Sequence, residues 1–150
     1  MANSTQGIKC DDREFEKGDI FEVDFPGGRG QYVIEGKHMA VALYSYEFPR
    51  RTVIVAPITS LHNGSGVRKV TIETDVILPD TESYLSKESY VKMEQLTCVD
   101  RSALGDYKGR MSELFLAEAS LNMIELLELE DAVEALVRDR LDKKRNEEVS

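Results

Sequence analysis

The chain has 150 residues, enough for one domain that buries about 70% of its unfolded surface without a disulfide or metal staple. Hydrophobic residues are 41% and charged residues 31%, a globular mix that excludes a disordered chain, and no apolar run reaches the ~18 residues of a membrane span. The formal net charge of -9 argues against attraction of nucleic acid by the surface as a whole.

Residues 1–16 read as a polar, flexible leader. They lack the basic start and apolar stretch of a secretory signal, which predicts a cytoplasmic protein. The two cysteines, Cys10 and Cys98, fit no zinc spacing and read as free thiols. Cys98 sits in an apolar run and is expected in the core, whereas Cys10 is expected to be inert.

Strands are expected next, because apolar residues alternate or come in short β-branched runs. Asp19–Phe25 is the first. Pro26-Gly27-Gly28-Arg29-Gly30 breaks it and forms a loop. Tyr32–Ile34, Met39–Tyr44 and Thr52–Ala56 read as strands. Asn63–Gly66 is a turn. Lys69–Glu73 and Tyr90–Val99 complete the set. Six or seven short strands in about a hundred residues predict a small β-barrel or two packed sheets. Near residue 110 the spacing becomes helical. Ser112 is placed to cap a helix, with Leu114, Ala117, Leu121 and Ile124 near one face. Leu126, Leu129, Val133, Leu136 and Leu141 continue a stripe, and Lys143, Lys144 and Arg145 make a basic last turn. Glu130-Asp131 is a plausible start for a second helix. The helical region is expected to pack on the strands, the alternative being a partner-binding or dimerising helix. The domain reading is leader 1–16, β domain 17–110 and helical region 111–150.

Charge is uneven. Residues 27–69 hold six cations (Arg29, Lys37, Arg50, Arg51, Arg68, Lys69) against two acids, while the acidity is largely C-terminal. A basic surface in the middle of the chain is therefore possible.

Few residues can carry chemistry. His38 enters an apolar strand and fits either an acid or base near neutral pH or a polar strand start. His62 sits in a turn. Thr59 and Ser60 end a strand and fit either phosphate donors or a turn cap. Lys92 and Glu94 are two apart, hence on one face of a strand. They fit either a surface ion pair or an acid–base pair over a phosphodiester.

Four segments occur together in a known order. Lys17–Phe25 (KGDIFEVDF), Gly36–Leu43 (GKHMAVAL), Val55–Ser60 (VAPITS) and Glu88–Leu104 (ESYVKMEQLTCVDRSAL) resemble the motifs of MazF/PemK-family toxins. The resemblance spans roughly residues 17–127. It implies a mainly β, SH3-like small barrel with a C-terminal helix, forming a homodimer. It implies the toxin of a type II toxin–antitoxin pair, with a cognate antitoxin as partner and single-stranded RNA as substrate. Cleavage would need no metal or cofactor, since the RNA's own 2′-hydroxyl attacks. Glu94 would be the base and Lys92 the acid or electrostatic stabiliser. His38 and Thr59 would act at the phosphate, with Ser60 helping to hold the RNA. Arg29, Lys37, Arg68 and Gln95 are assigned as further RNA-binding residues. The chain departs from the pattern where His38 and Lys92 replace arginines, which removes a bidentate fork. The alternative reading is a catalytically weak or silent member of the fold that binds a protein, as the gyrase-inhibiting toxin CcdB does.

Overall fold

The structure, a computed structural model, describes residues 13–47 and 50–150. Cys10 and most of the expected leader lie outside the described residues. Seven strands are present among those described: β1 (Asp19–Phe25), β2 (Gly36–Ala42), β3 (Thr52–Ser60), β4 (Val76–Leu78), β5 (Ser89–Val91), β6 (Thr97–Asp100) and β7 (Leu104–Arg110). Two helices follow, α1 (Glu113–Leu126) and α2 (Glu130–Val149). All pairings are antiparallel, in the order β4-β5-β3-β2-β1-β7, with β6 also on β3. No pairing among the described residues joins β4 to β7. The sheet is therefore open, and the expected SH3-like barrel is corrected to an open antiparallel sheet with C-terminal helices.

Alternation explains how so small a sheet is buried on both faces. Side chains two apart share a face. Phe21, Val23 and Phe25 of β1, Ala40 and Ala42 of β2, and Val53 and Val55 of β3 enter one core. Ile20, Val41, Ala56 and Ile58 enter the other, which α1 covers with Leu116 and Ala119. α1 packs against β4 and the turn after β5, and the Asn122 side-chain amide donates to the Thr74 carbonyl at 3.1 Å.

Several expectations change. Tyr32–Ile34 is a turn, exposed at Tyr32 and Val33 with Ile34 half-buried against the second core, and no strand forms at Lys69–Glu73, an isolated bridge between His62 and Arg68 lying just before it. Val70 is 93% exposed, because alternation without a neighbouring strand has nothing to pair with. β7 carries almost no apolar signal. Backbone pairing to β1 holds it, with Tyr107 edge-on to Phe21 at 5.7 Å. Cys98 is exposed rather than in the core. Its neighbour Val99 packs on the second core, so the pleat turns Cys98 away. Within the end of the expected leader, Phe15 is 2% exposed and enters the second core, while Glu14 and Glu16 stay exposed.

The helices divide at residues 127–129, where Glu128 adopts a left-handed φ of 54°. Ser112 occupies the N-cap position but makes no capping bond through its side chain. The expected face of α1 is inverted. Leu114 and Leu121 are exposed, while Phe115, Leu116, Ala119, Met123 and Leu126 turn inward. Both sets satisfy helical spacing, so periodicity cannot choose between them. α2 buries none of its residues, so the packing expected of the helical region holds for α1 alone. Because α2 runs to Val149, Lys143, Lys144 and Arg145 lie inside it rather than in its last turn.

One buried cation ties the N-terminal segment to the sheet. Arg101 is 3% exposed. Its guanidinium donates to the Arg50 carbonyl at 2.8 Å and to the Arg13 carbonyl, and it lies over the rings of Phe15 and Tyr46. Truncation removes both part-buried hydrogen bonds and the ring contacts of the buried Arg101 side chain. Arg101→Ala is expected to lower stability by about 3 kcal/mol, read as a shifted urea midpoint. An unchanged midpoint would show that the clamp is not stabilising.

Candidate active site

β2, β3 and β5 lie side by side, and residues directly opposite on antiparallel neighbours share a face. Met39 faces Ile58, so one step along places His38 beside Thr59. Thr59 in turn faces Tyr90. His38, Thr59 and Tyr90 thus form a row across three strands. Lys92 extends it: its backbone N–H donates to the Pro57 carbonyl at 3.0 Å, one pleat from Thr59.

Lys92 and Glu94 do not sit on a continuing strand. β5 ends at Val91, and Met93–Gln95 forms a 3₁₀ turn. The turn still brings Lys92 Nζ within 3.7 Å of Glu94 Oε1, with the side chains 23% and 31% exposed. A pair this open to water adds little stability, so both groups remain available for chemistry.

Each other group has a definite setting. His38 Nε2 lies 3.1 Å from the Glu35 carbonyl. A carbonyl only accepts, so Nε2 carries a proton in this contact. Thr59 Oγ1 accepts from Lys69 Nζ at 3.4 Å. Lys69 is a site residue that the sequence reading left in a strand; its only signal was membership of the basic stretch 27–69. Its backbone N–H donates to the Leu61 carbonyl at 2.8 Å, which fixes its approach. Lys37, His38, Thr59 and Ser60 line one open cavity of about 240 Å³, together with Lys87. Arg68 stands exposed beside Lys69.

Arg29 and Gln95 hold a loop in place. Gln95 Oε1 accepts from the Ile34 N–H at 2.7 Å, and its Nε2 donates to the Tyr32 carbonyl at 2.9 Å. Arg29 donates to the carbonyls of Pro26 and Ile34, both at 3.2 Å, and to Thr97 Oγ1 at 3.4 Å. Together they pin the glycine loop 26–35 beside β6. Gly28 and Gly30 have φ of 77° and 136°, which few other residues adopt.

A buried carboxylate adjoins the row. Asp75 Oδ2 accepts from the Ile72 N–H at 2.9 Å, while its Oδ1 is buried without a partner. Burial raises its pKa, opposed by the Ile72 hydrogen bond and by the charge of Lys92. The Tyr90 hydroxyl is raised chiefly by burial, then by the charges of Asp75 and Glu94. These influences tie Asp75, Tyr90, Lys92 and Glu94 into one electrostatic group. Among the described residues no three or more His, Cys, Asp or Glu side chains are grouped to hold a metal ion.

Residues 16–127 match the family described as PemK-like, MazF-like toxin of type II toxin-antitoxin system. The chain belongs to this family. The matched segment takes in the sheet, the row and α1, and stops before α2. Solved structures agree on the fold. A crystal structure of MazF from Deinococcus radiodurans aligns with a TM-score of 0.63 at 21% identity, covering 78% of this chain and 99% of that one. An endoribonuclease in complex with its cognate antitoxin, from a mycobacterial species, aligns with a TM-score of 0.59 at 16% identity, covering 77% and 96%. No curated protein is similar enough in sequence to match. No helix among the described residues is long and apolar enough to cross a membrane.

Asp75 gives a pH-dependent prediction. A carboxyl whose folded pKa is raised favours the folded state while protonated. That contribution is lost as pH rises from the unfolded value, about 3.9, through the folded one. Asp75→Asn removes the titration and keeps an oxygen for the Ile72 N–H. Its melting temperature relative to the parent is expected to rise between pH 4 and pH 7. A constant difference across that range would place the carboxylate in a well-solvated setting.

Proposed function

We propose that this toxin-family protein is a metal-independent, sequence-selective endoribonuclease that cleaves single-stranded RNA. The row His38–Thr59–Tyr90, with Lys69 on Thr59 and the Lys92–Glu94 pair at its end, is the observation that carries this reading. Family membership and neighbours described as endoribonucleases support it.

The chemistry needs a base, an acid and a means of offsetting charge on the phosphorane-like transition state. Glu94 takes the proton from the RNA 2′-hydroxyl. The 2′-oxygen attacks the adjacent phosphorus and the bond to the 5′-oxygen breaks. Lys92 or protonated His38 delivers a proton to that leaving oxygen. The products are a 2′,3′-cyclic phosphate and a 5′-hydroxyl end. Thr59 and Lys69 face the non-bridging oxygens, where a cation is worth most as charge develops. Lys69 thus restores a positive charge that the family pattern supplies through arginine. Lys37, Ser60 and Arg68 hold the strand along the cavity, and Arg29 and Gln95 shape the loop that meets the bases. The protein acts as a cytoplasmic homodimer whose cognate antitoxin covers this groove.

The test is incubation with a long single-stranded RNA in excess EDTA from pH 5.5 to 8.5, with mapping of the new 5′ ends. Discrete cuts carrying 5′-hydroxyls are expected. Glu94→Gln and His38→Ala should each reduce the rate by about 100-fold or more, and Lys69→Ala by about tenfold to a hundredfold. Full activity in both the Glu94 and His38 variants would sink the assigned roles. Intact RNA at every pH would favour the protein-binding alternative.

A further inference from the structure

α2 lies beyond the family segment 16–127, and none of its twenty residues is buried. In proteins most helical stability comes from packing of an apolar face rather than from propensity. Leu129, just before it, and Val133, Leu136, Val137 and Leu141 within it fall in one stripe at 100° per residue. All are exposed, Leu136 by 48%. We propose that this stripe is covered by the same helix of a second copy of the chain, running antiparallel about a two-fold axis near Leu136. The contact is independent of RNA cleavage and distinct from the homodimer proposed for the family domain.

Charge selects both the occupant and the direction. Residues 128–134 contain four acids and no cation, while residues 138–145 contain five cations and two acids. Antiparallel pairing sets each half against its complement. Parallel pairing sets like on like. Two cations sharpen the choice, because Arg140 and Lys144 fall within the apolar stripe itself. Side by side in a parallel pair, they would oppose their own copies in the seam. In an antiparallel pair their aliphatic stems cover Leu129 and Val133, and their charged heads reach toward Glu130 and Glu134. Two ion pairs are made within the helix, Arg138–Glu134 at 3.3 Å and Lys143–Asp139 at 3.0 Å. Glu128, Glu130, Arg140, Lys144 and Arg145 have no such partner within α2 and remain for the second copy.

Single cysteines in the full-length chain, on a Cys10→Ser, Cys98→Ser background, test the geometry under mild oxidation with glutathione disulfide. Leu136→Cys sits at the axis and should form a linked dimer in most of the protein. Leu129→Cys and Leu141→Cys lie about 21 and 15 Å from their own copies along an antiparallel pair, at a rise of 1.5 Å per residue. A disulfide needs Cα atoms within about 7 Å. Neither should link alone, but the two variants mixed should link to each other. Glu130→Lys with Glu134→Lys should cut the Leu136→Cys yield several-fold, and adding Arg140→Glu and Lys144→Glu should restore it. Equal linking at all three positions would overturn the antiparallel arrangement. An unlinked Leu136→Cys chain would overturn self-pairing, as would its preferential linkage to Leu121→Cys on the exposed face of α1. The charge changes and Leu136→Cys and Leu141→Cys fall on exposed positions of α2, and Leu129→Cys just before it; none is a residue assigned to RNA cleavage, so against the Cys10→Ser, Cys98→Ser parent the RNA-cleavage assay should be unaffected.

Discussion

The molecule depends on β3 being hydrogen-bonded along both edges. One edge pairs with β2. The other is shared by β5, which takes its C-terminal end, and β6, which takes its N-terminal end. Between Val91 and Thr97 the second segment advances six residues while β3 moves three, from Ile58 to Val55. The surplus has to leave the ladder, and it does so as the 3₁₀ turn at Met93–Gln95. That turn presents Lys92 and Glu94 together. It also aims the Gln95 amide at the glycine loop. A single mismatch in length thus creates the charged pair and anchors the loop beside it.

The same sheet reconciles an acidic protein with the anionic substrate proposed for it. The net charge is -9, but it is uneven: residues 27–69 hold six cations against two acids, and residues 111–150 hold five cations against eleven acids. Lys37 and Lys87 line the cavity with His38, and Lys69 donates to Thr59 of its lining. Charges separated by more than about 8 Å are heavily screened at physiological salt, so the local balance governs an approaching phosphate more than the total does.

The sequence was most legible where local chemistry was strong. β1 and β3 announce themselves by β-branched and aromatic alternation, and the glycine loop by residues that stop a ladder. It was least legible where partnership decides. Lys69–Glu73 alternates as well as any strand, yet beyond the Lys69–Leu61 hydrogen bond it forms no ladder with a neighbouring strand. Leu104–Arg110 has little apolar content, yet it pairs because β1 offers a free edge. α1 is apolar on more than one side, so its buried face depended on where β4 and the 3₁₀ turn lay. Of the candidate site, the motifs pointed to His38, Thr59, Lys92 and Glu94, and all stand along one row or at its end. Lys69 and Asp75 escaped notice because each is defined by a contact across the chain, with Thr59 and with the group around Tyr90.

The sequence by itself determined the family segment, the strands with strong β-branched alternation, the change to helical spacing near residue 110, and which side chains are chemically able to move a proton. Those properties reside in residue identity and short spacing. The tertiary structure alone decided that the sheet stays open, that Lys92 and Glu94 meet through a turn, that Arg101 is buried beneath the N-terminal segment, and that α2 stands uncovered. Each of these depends on register and on which surfaces meet. Backbone hydrogen bonding and burial are satisfied between residues far apart in the chain, and no local pattern encodes which distant edge or face will satisfy them.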